Sequence, residues 1–307
     1  MSTSLEAPVV LGAGPVARAV VASLFERGCE PAVVTRSADE IAGARAIAGD
    51  VSDGEDARRV MHGASVVFQC AQPPYHRWVD EFPALQRTVL DACASAGAPL
   101  IAAENVYGYG DIAGTRFADT EMEPASVKGA VRAKMAADLL QAHKDGTVAT
   151  AAVRASDFFG PGVVGSVYGT RFFNAIVRGG RAEVLGSPSA RHSITYVTDF
   201  GRALVAVAAD PSAWGRAWHA PTVTAVTQAR IVVIAATAAG RPPRLRSVPA
   251  WQLRLLGIFV PEVRESIEML YQFKHDFLVD SVEFEQHFGF APTPLEESLA
   301  RTVQATR

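Results

Sequence analysis

Cysteine is scarce in this 307-residue chain, and its three positions, Cys29, Cys70 and Cys93, lie far apart. An odd, scattered set builds neither the disulfide framework of a small secreted fold nor a zinc knuckle. Reduced, buried thiols in a cytoplasmic protein are expected, and no metal site. No apolar run approaches the roughly 20 residues that a membrane span requires. The opening residues MSTSLEAPVV lack the cationic stretch of a signal peptide and run straight into an apolar segment. Lysine occurs only at 128, 134, 144 and 274, asparagine only at 105 and 174, and the formal charge is −3. The arginines that make up the rest of the cations form no basic stripe, so nucleic acid is not an expected partner. Repeats and low-complexity linkers are absent as well. What is present is 49% apolar and 20% charged residues, the balance of a globular protein with a sizeable core.

The first two thirds alternate short β-rich runs with amphipathic stretches. Strands are expected over 8–11, 32–35, 44–48, 65–70, 99–103 and 148–154, and helices over 16–27, 53–61, 78–96 and 126–143. The strand runs read as apolar on both faces, as in a parallel sheet covered by helices on each side. In the first helix Val16, Ala19, Val20, Ala22 and Leu24 form the face expected to pack on the sheet. The fold class is therefore α/β, a doubly wound Rossmann sheet with a smaller C-terminal substrate-binding lobe. Residues 1–160 would form the dinucleotide-binding part, with 191–220 returning to the sheet. Residues 161–190 and 221–307 would form the lobe, with helices over 262–273 and 295–304.

The strand ending at Leu11 runs into Gly12-Ala-Gly14-Pro15-Val16-Ala17, and a helix starts at once. Strand, glycine turn and helix in that order form the fingerprint of a dinucleotide site. Gly12 permits the turn, Gly14 lets backbone approach a pyrophosphate, and small Ala17 lets helix and strand pack. Pro15 suits the first helical position, where no N–H is needed. NAD-selective sites usually carry an acid at the end of the second strand, to accept from the ribose 2′-hydroxyl. None occurs between Pro31 and Ala38; Arg36 stands there between Thr35 and Ser37. A guanidinium can clamp a 2′-phosphate, so NADP is the expected cofactor.

With that loop, Gly49-Asp50-Val51, Val106-Tyr107-Gly108, Phe159-Gly-Pro-Gly162, Tyr196-Val-Thr-Asp199 and Thr293-Pro-Leu-Glu-Glu297, the chain resembles the extended short-chain dehydrogenase/reductases. The likeness is to their NAD-dependent epimerase/dehydratase branch and covers nearly the whole length. It implies that Asp50 and Val51 lie at the adenine, and that Cys70, Ala71 and Gln72 skirt the ribose of the cofactor. The glycine loop is one residue shorter than is usual. The family also places a Ser or Thr before Val-Tyr-Gly, then Tyr-x-x-x-Lys on the next helix. Here the serine position falls on Ala103, the tyrosine position on Lys128 and the lysine position on Arg132. The usual acid is thus missing. Such atypical members are similar to the tyrosine-lacking ketoreductases of angucyclinone antibiotic biosynthesis, of the simocyclinone type.

A positioned acid contributes roughly 10²–10⁴ in rate, so a reductase without the tyrosine needs a substitute. Lys128 is one candidate, its proton loosened by desolvation or by Arg132 one turn on, but it equally suits a ribose hydrogen-bond donor. Tyr107 is another, against simple packing in its turn. Pro74, Tyr75, His76, Tyr107, Phe158 and His192 are the expected substrate-binding residues, Pro73 and Pro74 stiffening a ring-rich wall. A third source is the substrate itself, because a phenol beside the ketone of an aromatic polyketide can quench the alkoxide intramolecularly. The first functional expectation is an NADPH-dependent ketoreductase acting on a bulky aromatic small molecule. A non-redox protein that senses NADP or uses it structurally is the alternative, and sugar-nucleotide epimerisation ranks third for want of a base. A homodimer stays open as its assembly.

Overall fold

The computed structural model describes residues 5–259 and 261–307. Its centre is a seven-stranded sheet built from β1 (Pro8–Leu11), β2 (Ala32–Thr35), β3 (Arg45–Ala48), β4 (Val66–Gln69), β5 (Leu100–Asn105), β6 (Thr150–Ala155) and β7 (Ala217–His219). The order across the sheet is β7-β6-β5-β4-β1-β2-β3, with every neighbouring pair parallel. Leu11 at the end of β1 lies level with Val34 on one side and Gln69 on the other. The chain order therefore reverses between β1 and β4. Their carboxyl ends open a crevice there, the position at which doubly wound sheets bind ligands.

Alternate strand residues feed two separate cores. Val10, Val33, Phe68, Ile101 and Val153 pack with α1 (Pro15–Glu26) and α6 (Val197–Ala209), while Val9, Val34, Val67, Leu100 and Ala152 face the opposite way. That second face is covered by α2 (Gly54–Met61), α3 (Trp78–Ala96) and α4 (Val127–Lys144), through residues such as Met61, Phe82 and Met135. Two of these helices start where the sequence supplies a cap. Asp53 accepts from the N–H groups of Glu55 and Asp56, and Ser126 accepts from Gly129.

Three expectations need correction. The edge strand β3 is not apolar on both faces, since Arg45 and Ala48 are exposed where no helix covers the edge. The inward face of α1 is Ala17, Val20, Val21 and Leu24, whereas Ala22 points to solvent. Residues 191–196 do not join the main sheet. Ile194–Tyr196 instead runs parallel to Asp157–Phe159, and only Ala217–His219 takes the sheet edge.

The C-terminal part gathers α5 (Thr170–Val177), α7 (Gln228–Ala239) and the helix Leu295–Thr306 around Phe172, Phe173, Ile231 and Leu299. The expected helix over 262–273 splits into an α-helix, Pro261–Ser266, and a 3-10 segment, Ile267–Phe273. Among the described residues no helix is long and apolar enough to cross a membrane.

Candidate cofactor groove and inner chamber

At the crevice the glycine loop is held by the backbone of its neighbour. Gly12 has φ +96°, and a Cβ there would lie 3.2 Å from the Ala71 backbone. Gly14 is the extended N-cap of α1, with Pro15 at the first helical position. A Cβ on Gly14 would meet nothing within 4 Å, because the space beside it is the groove. The free N–H groups at the start of α1 thus face an open trough suited to phosphate charge. The groove holds about 1220 Å3, counted to its mouth, and all the residues named for the cofactor except Lys128 line it. Gly12, Gly14, Pro15 and Val16 form one end, Thr35, Arg36 and Ser37 the other, with Asp50, Val51, Cys70, Ala71 and Gln72 between. Pro74, expected at the substrate, lines this groove too. A dinucleotide fits the observed cradle.

One groove residue escaped the sequence reading. Asp39 lines the far end beside Arg36. Its N–H donates to Thr35 Oγ1 at 2.8 Å, and Ser37 Oγ donates to Asp39 Oδ1 at 2.7 Å. Ala38, at φ +54°, makes the turn that folds Asp39 back. Asp39 lies one residue beyond the stretch from Pro31 to Ala38 in which an acid was expected.

Beyond Phe158 and Cys70 the groove continues into an inner chamber of about 850 Å3, open mouth included. Tyr75, Trp78, Phe82, Tyr107 and Phe158 give it an aromatic wall, and Ala103 and Asp157 stand on the same lining. The Trp78 ring packs against Tyr75 and Phe82, at centroid distances of 4.9 and 5.2 Å. Burial, and next the neighbouring Tyr75, hold the Tyr107 phenol well above the ordinary range. Burial also pushes the Cys70 thiol up to about 12, so it stays a thiol.

A buried ion cluster reaches the chamber wall, where Glu104 and Arg132 are part of the lining. Glu104 on β5 accepts from Arg154 Nε at 3.0 Å and lies 3.5 Å from Arg132 Nη2. The Arg132 guanidinium sits over Phe82, 4.8 Å from the ring centroid. Glu104 and Arg154 were not named from the sequence, since residues fifty positions apart carry no local signal of pairing.

Three sequence-based site residues lie outside both cavities, two of them buried and one exposed. Lys128 is 2% exposed, with Nζ 2.5 Å from Glu265 Oε2, 3.4 Å from Glu268 Oε1 and 4.6 Å from the Tyr75 ring centroid. Arg132 is met by Glu104 and Lys128 by two glutamates, so the cation pairing expected to loosen the Lys128 proton is replaced by two carboxylate contacts. His192 is buried behind the chamber, and Asp157 stands between it and the cavity. His76 lies in a short exposed 3-10 turn and lines neither cavity.

The profile of the NAD dependent epimerase/dehydratase family matches residues 9–219. The chain belongs to that family. Its fold is also that of several solved relatives, all at low identity. MoeE5, in complex with UDP-glucose and NAD, is 22% identical and superposes with a TM-score of 0.79, covering 98% of each chain. UDP-glucose 4-epimerase of Thermotoga maritima, with UDP-glucose, is 18% identical with a TM-score of 0.79, covering 97% of this chain and 98% of that one. A DesIV double mutant from Streptomyces venezuelae, a dTDP-glucose 4,6-dehydratase with NAD bound, is 19% identical with a TM-score of 0.76, covering 97% and 96%. No curated protein sequence matches this one.

Proposed function

We propose that this family member is an NADPH-dependent ketoreductase acting on a bulky aromatic ketone. The carrying observation is the continuity of the two cavities, a glycine-loop groove ending at Arg36 and an aromatic chamber at its other end. Arg36 is exposed at the groove mouth, where a guanidinium can pair with a 2′-phosphate. Asp39 opposes that preference, so the choice between the two dinucleotides rests on this one pair. When bound, the nicotinamide supplies the hydride. The chain's part is to hold the nucleotide along the groove, seat a flat ring system against Tyr75, Trp78 and Phe158, and keep water out.

No tyrosine in the chain is followed four positions later by lysine. Lys128 is withdrawn against Glu265 and Glu268, so the proton for the product oxygen comes from elsewhere. It comes from the chamber wall or from a phenol on the substrate. The same withdrawal of Lys128 supports a second reading, in which bound NADP is sensed and no hydride moves.

The test is NADPH oxidation, followed by nicotinamide absorbance, with polycyclic aromatic ketones, and chromatography of the products from UDP- and dTDP-sugars incubated with the oxidised dinucleotide. Turnover of the ketones is expected. Tight NADPH binding with no turnover would favour the sensing role, and conversion of nucleotide sugars alone would replace the ketone by a sugar substrate.

A further inference from the structure

Two buried histidines in this fold make the same bond on one ring nitrogen and differ on the other. His219 Nδ1 is 2.7 Å from the Asp280 carbonyl, and its Nε2 is 2.8 Å from the Tyr109 hydroxyl. A carbonyl only accepts, so the proton is on Nδ1. The Tyr109 hydroxyl then donates to Nε2 while accepting from Arg154 Nη1 at 2.8 Å. A neutral ring satisfies every partner.

His192 is different. Its Nδ1 is 3.2 Å from the Gln272 carbonyl, and its Nε2 is 2.7 Å from Asp157 Oδ2. Both partners are acceptors, whereas a neutral imidazole has a single N–H. A carboxylate beside a neutral ring would leave two lone pairs opposed, at a side chain 1% exposed. One additional proton between Asp157 Oδ2 and His192 Nε2 removes the conflict, either as an acid donating to the ring or as an imidazolium donating to a carboxylate. The surroundings suit either form. The His192 ring stacks on Phe273 and Phe277, at centroid distances of 4.6 and 5.4 Å and interplanar angles of 12° and 19°. Ring faces of this kind favour a cation. The charged and titratable groups nearby are the phenols of Tyr75, Tyr107, Tyr168 and Tyr271 around Asp157, Arg116 over Phe277, Lys128 over Tyr75, and the adjoining Arg191–Asp276 pair.

Asp157 is also the member of this pair that reaches the ligand space. It lines the inner chamber with 13% of its side chain exposed, and its Oδ1 makes no hydrogen bond among the described residues. We propose that Asp157 is the acid that protonates the substrate oxygen, with His192 as the positioning residue that keeps the proton on the pair. This rests on the ketone-reduction reading. The carbonyl carbon gains the hydride and the π pair moves to oxygen. An O–H bond forms there as the O–H bond of Asp157 breaks, the carboxyl turning about its Cβ–Cγ bond to carry the shared proton from His192 Nε2 to the chamber. That leaves a carboxylate beside a neutral His192, and water restores the proton.

Proton magnetic resonance of the cofactor-free protein provides a readout independent of turnover. A low-field signal from the Asp157–His192 hydrogen bond is expected near neutral pH and should vanish in Asp157→Ala. In assays, Asp157→Asn is expected to lower kcat about 100-fold on a ketone without a neighbouring phenol, and less on one that carries it. His192→Gln, which keeps one donor, should lose about tenfold. The loss in both variants should fall on kcat and leave KM nearly unchanged. NADPH titrations and thermal melts should match wild type in both variants, separating a catalytic loss from misfolding. An Asp157→Asn enzyme within about twofold of wild type on both ketones, or a low-field signal that survives Asp157→Ala, overturns the proposal. A wild-type protein that binds NADPH but reduces no ketone overturns the reductase reading, and this acid falls with it.

Discussion

At the Arg36 end of the groove, Arg36 and Asp39 set opposite charges side by side. The carboxylate is held against Ser37 by a turn in which Ala38 adopts φ +54°, a backbone conformation that alanine rarely takes. Strain of this kind persists only where neighbouring contacts fix it. Arg36→Leu is expected to weaken NADPH binding about tenfold or more and leave NADH nearly unchanged. Asp39→Asn should tighten NADPH severalfold. Fluorescence titrations of both nucleotides decide the matter, and equal NADPH affinity in wild type and Arg36→Leu would remove Arg36 from the selection. A second residue-scale prediction concerns His219, which burial pushes down to about 4. The unfolded chain, with its histidine near 6.5, takes up that proton more readily. Stability from this group is complete above about pH 6.5 and is lost as pH falls towards about 4, to a limit of roughly 3 kcal/mol. Urea unfolding across that window should show the loss in wild type and a flatter profile in His219→Gln.

At this scale, legibility followed distance along the chain. Gly12, Gly14 and Arg36 were readable because the turn, the helix start and the strand end are local features. Asp39 was missed because the turn at Ala38 brings back a residue just beyond the expected window. Asp157 was missed because its partner His192 is thirty-five residues away and meets it only when Asp157–Phe159 and Ile194–Tyr196 pair side by side.

The elements themselves were largely foreseen. Continuous apolar runs gave the interior strands, and α3 lies over Trp78–Ala96 as expected. The edge strand broke the rule since its Arg45 and Ala48 are exposed, and residues 191–196 left the sheet because Val226–Thr227 pairs with Arg191–His192 and Asp157–Phe159 with Ile194–Tyr196. The loop between β1 and α1 makes a firm element-scale prediction. Gly12→Ala would carry a side chain at φ +96° against the Ala71 backbone, at a cost of about 1–2 kcal/mol. A lowered melting temperature and at least tenfold weaker NADPH binding are expected. The start of α4 makes another. Glu268 accepts from the N–H groups of Val127 and Lys128, and Lys128 Nζ binds both Glu265 and Glu268. Lys128→Met should therefore act on the segment from Pro261–Ser266 through Ile267–Phe273, with faster hydrogen exchange there and kcat within a few fold of wild type. A hundredfold loss of kcat with exchange unchanged would return Lys128 to the chemistry.

For the whole molecule, the division between the two cavities matters more than either alone. The groove is assembled almost entirely from the first 85 residues, whereas the chamber draws on β5, α4 and the segment from Ala155 to Ser166 as well. Behind it, His192 and Phe273 complete the support of Asp157, and Phe273 lies past the last residue of the family match. Mutational change in the later part of the chain can thus redraw what the chamber admits while the nucleotide trough stays as it is. Such an arrangement is readily evolvable. A lineage could exchange one substrate for another through replacements at chamber positions such as Ala103, Tyr107, Gly165 and Ser166, which the groove does not share, without ever passing through a form unable to hold its dinucleotide.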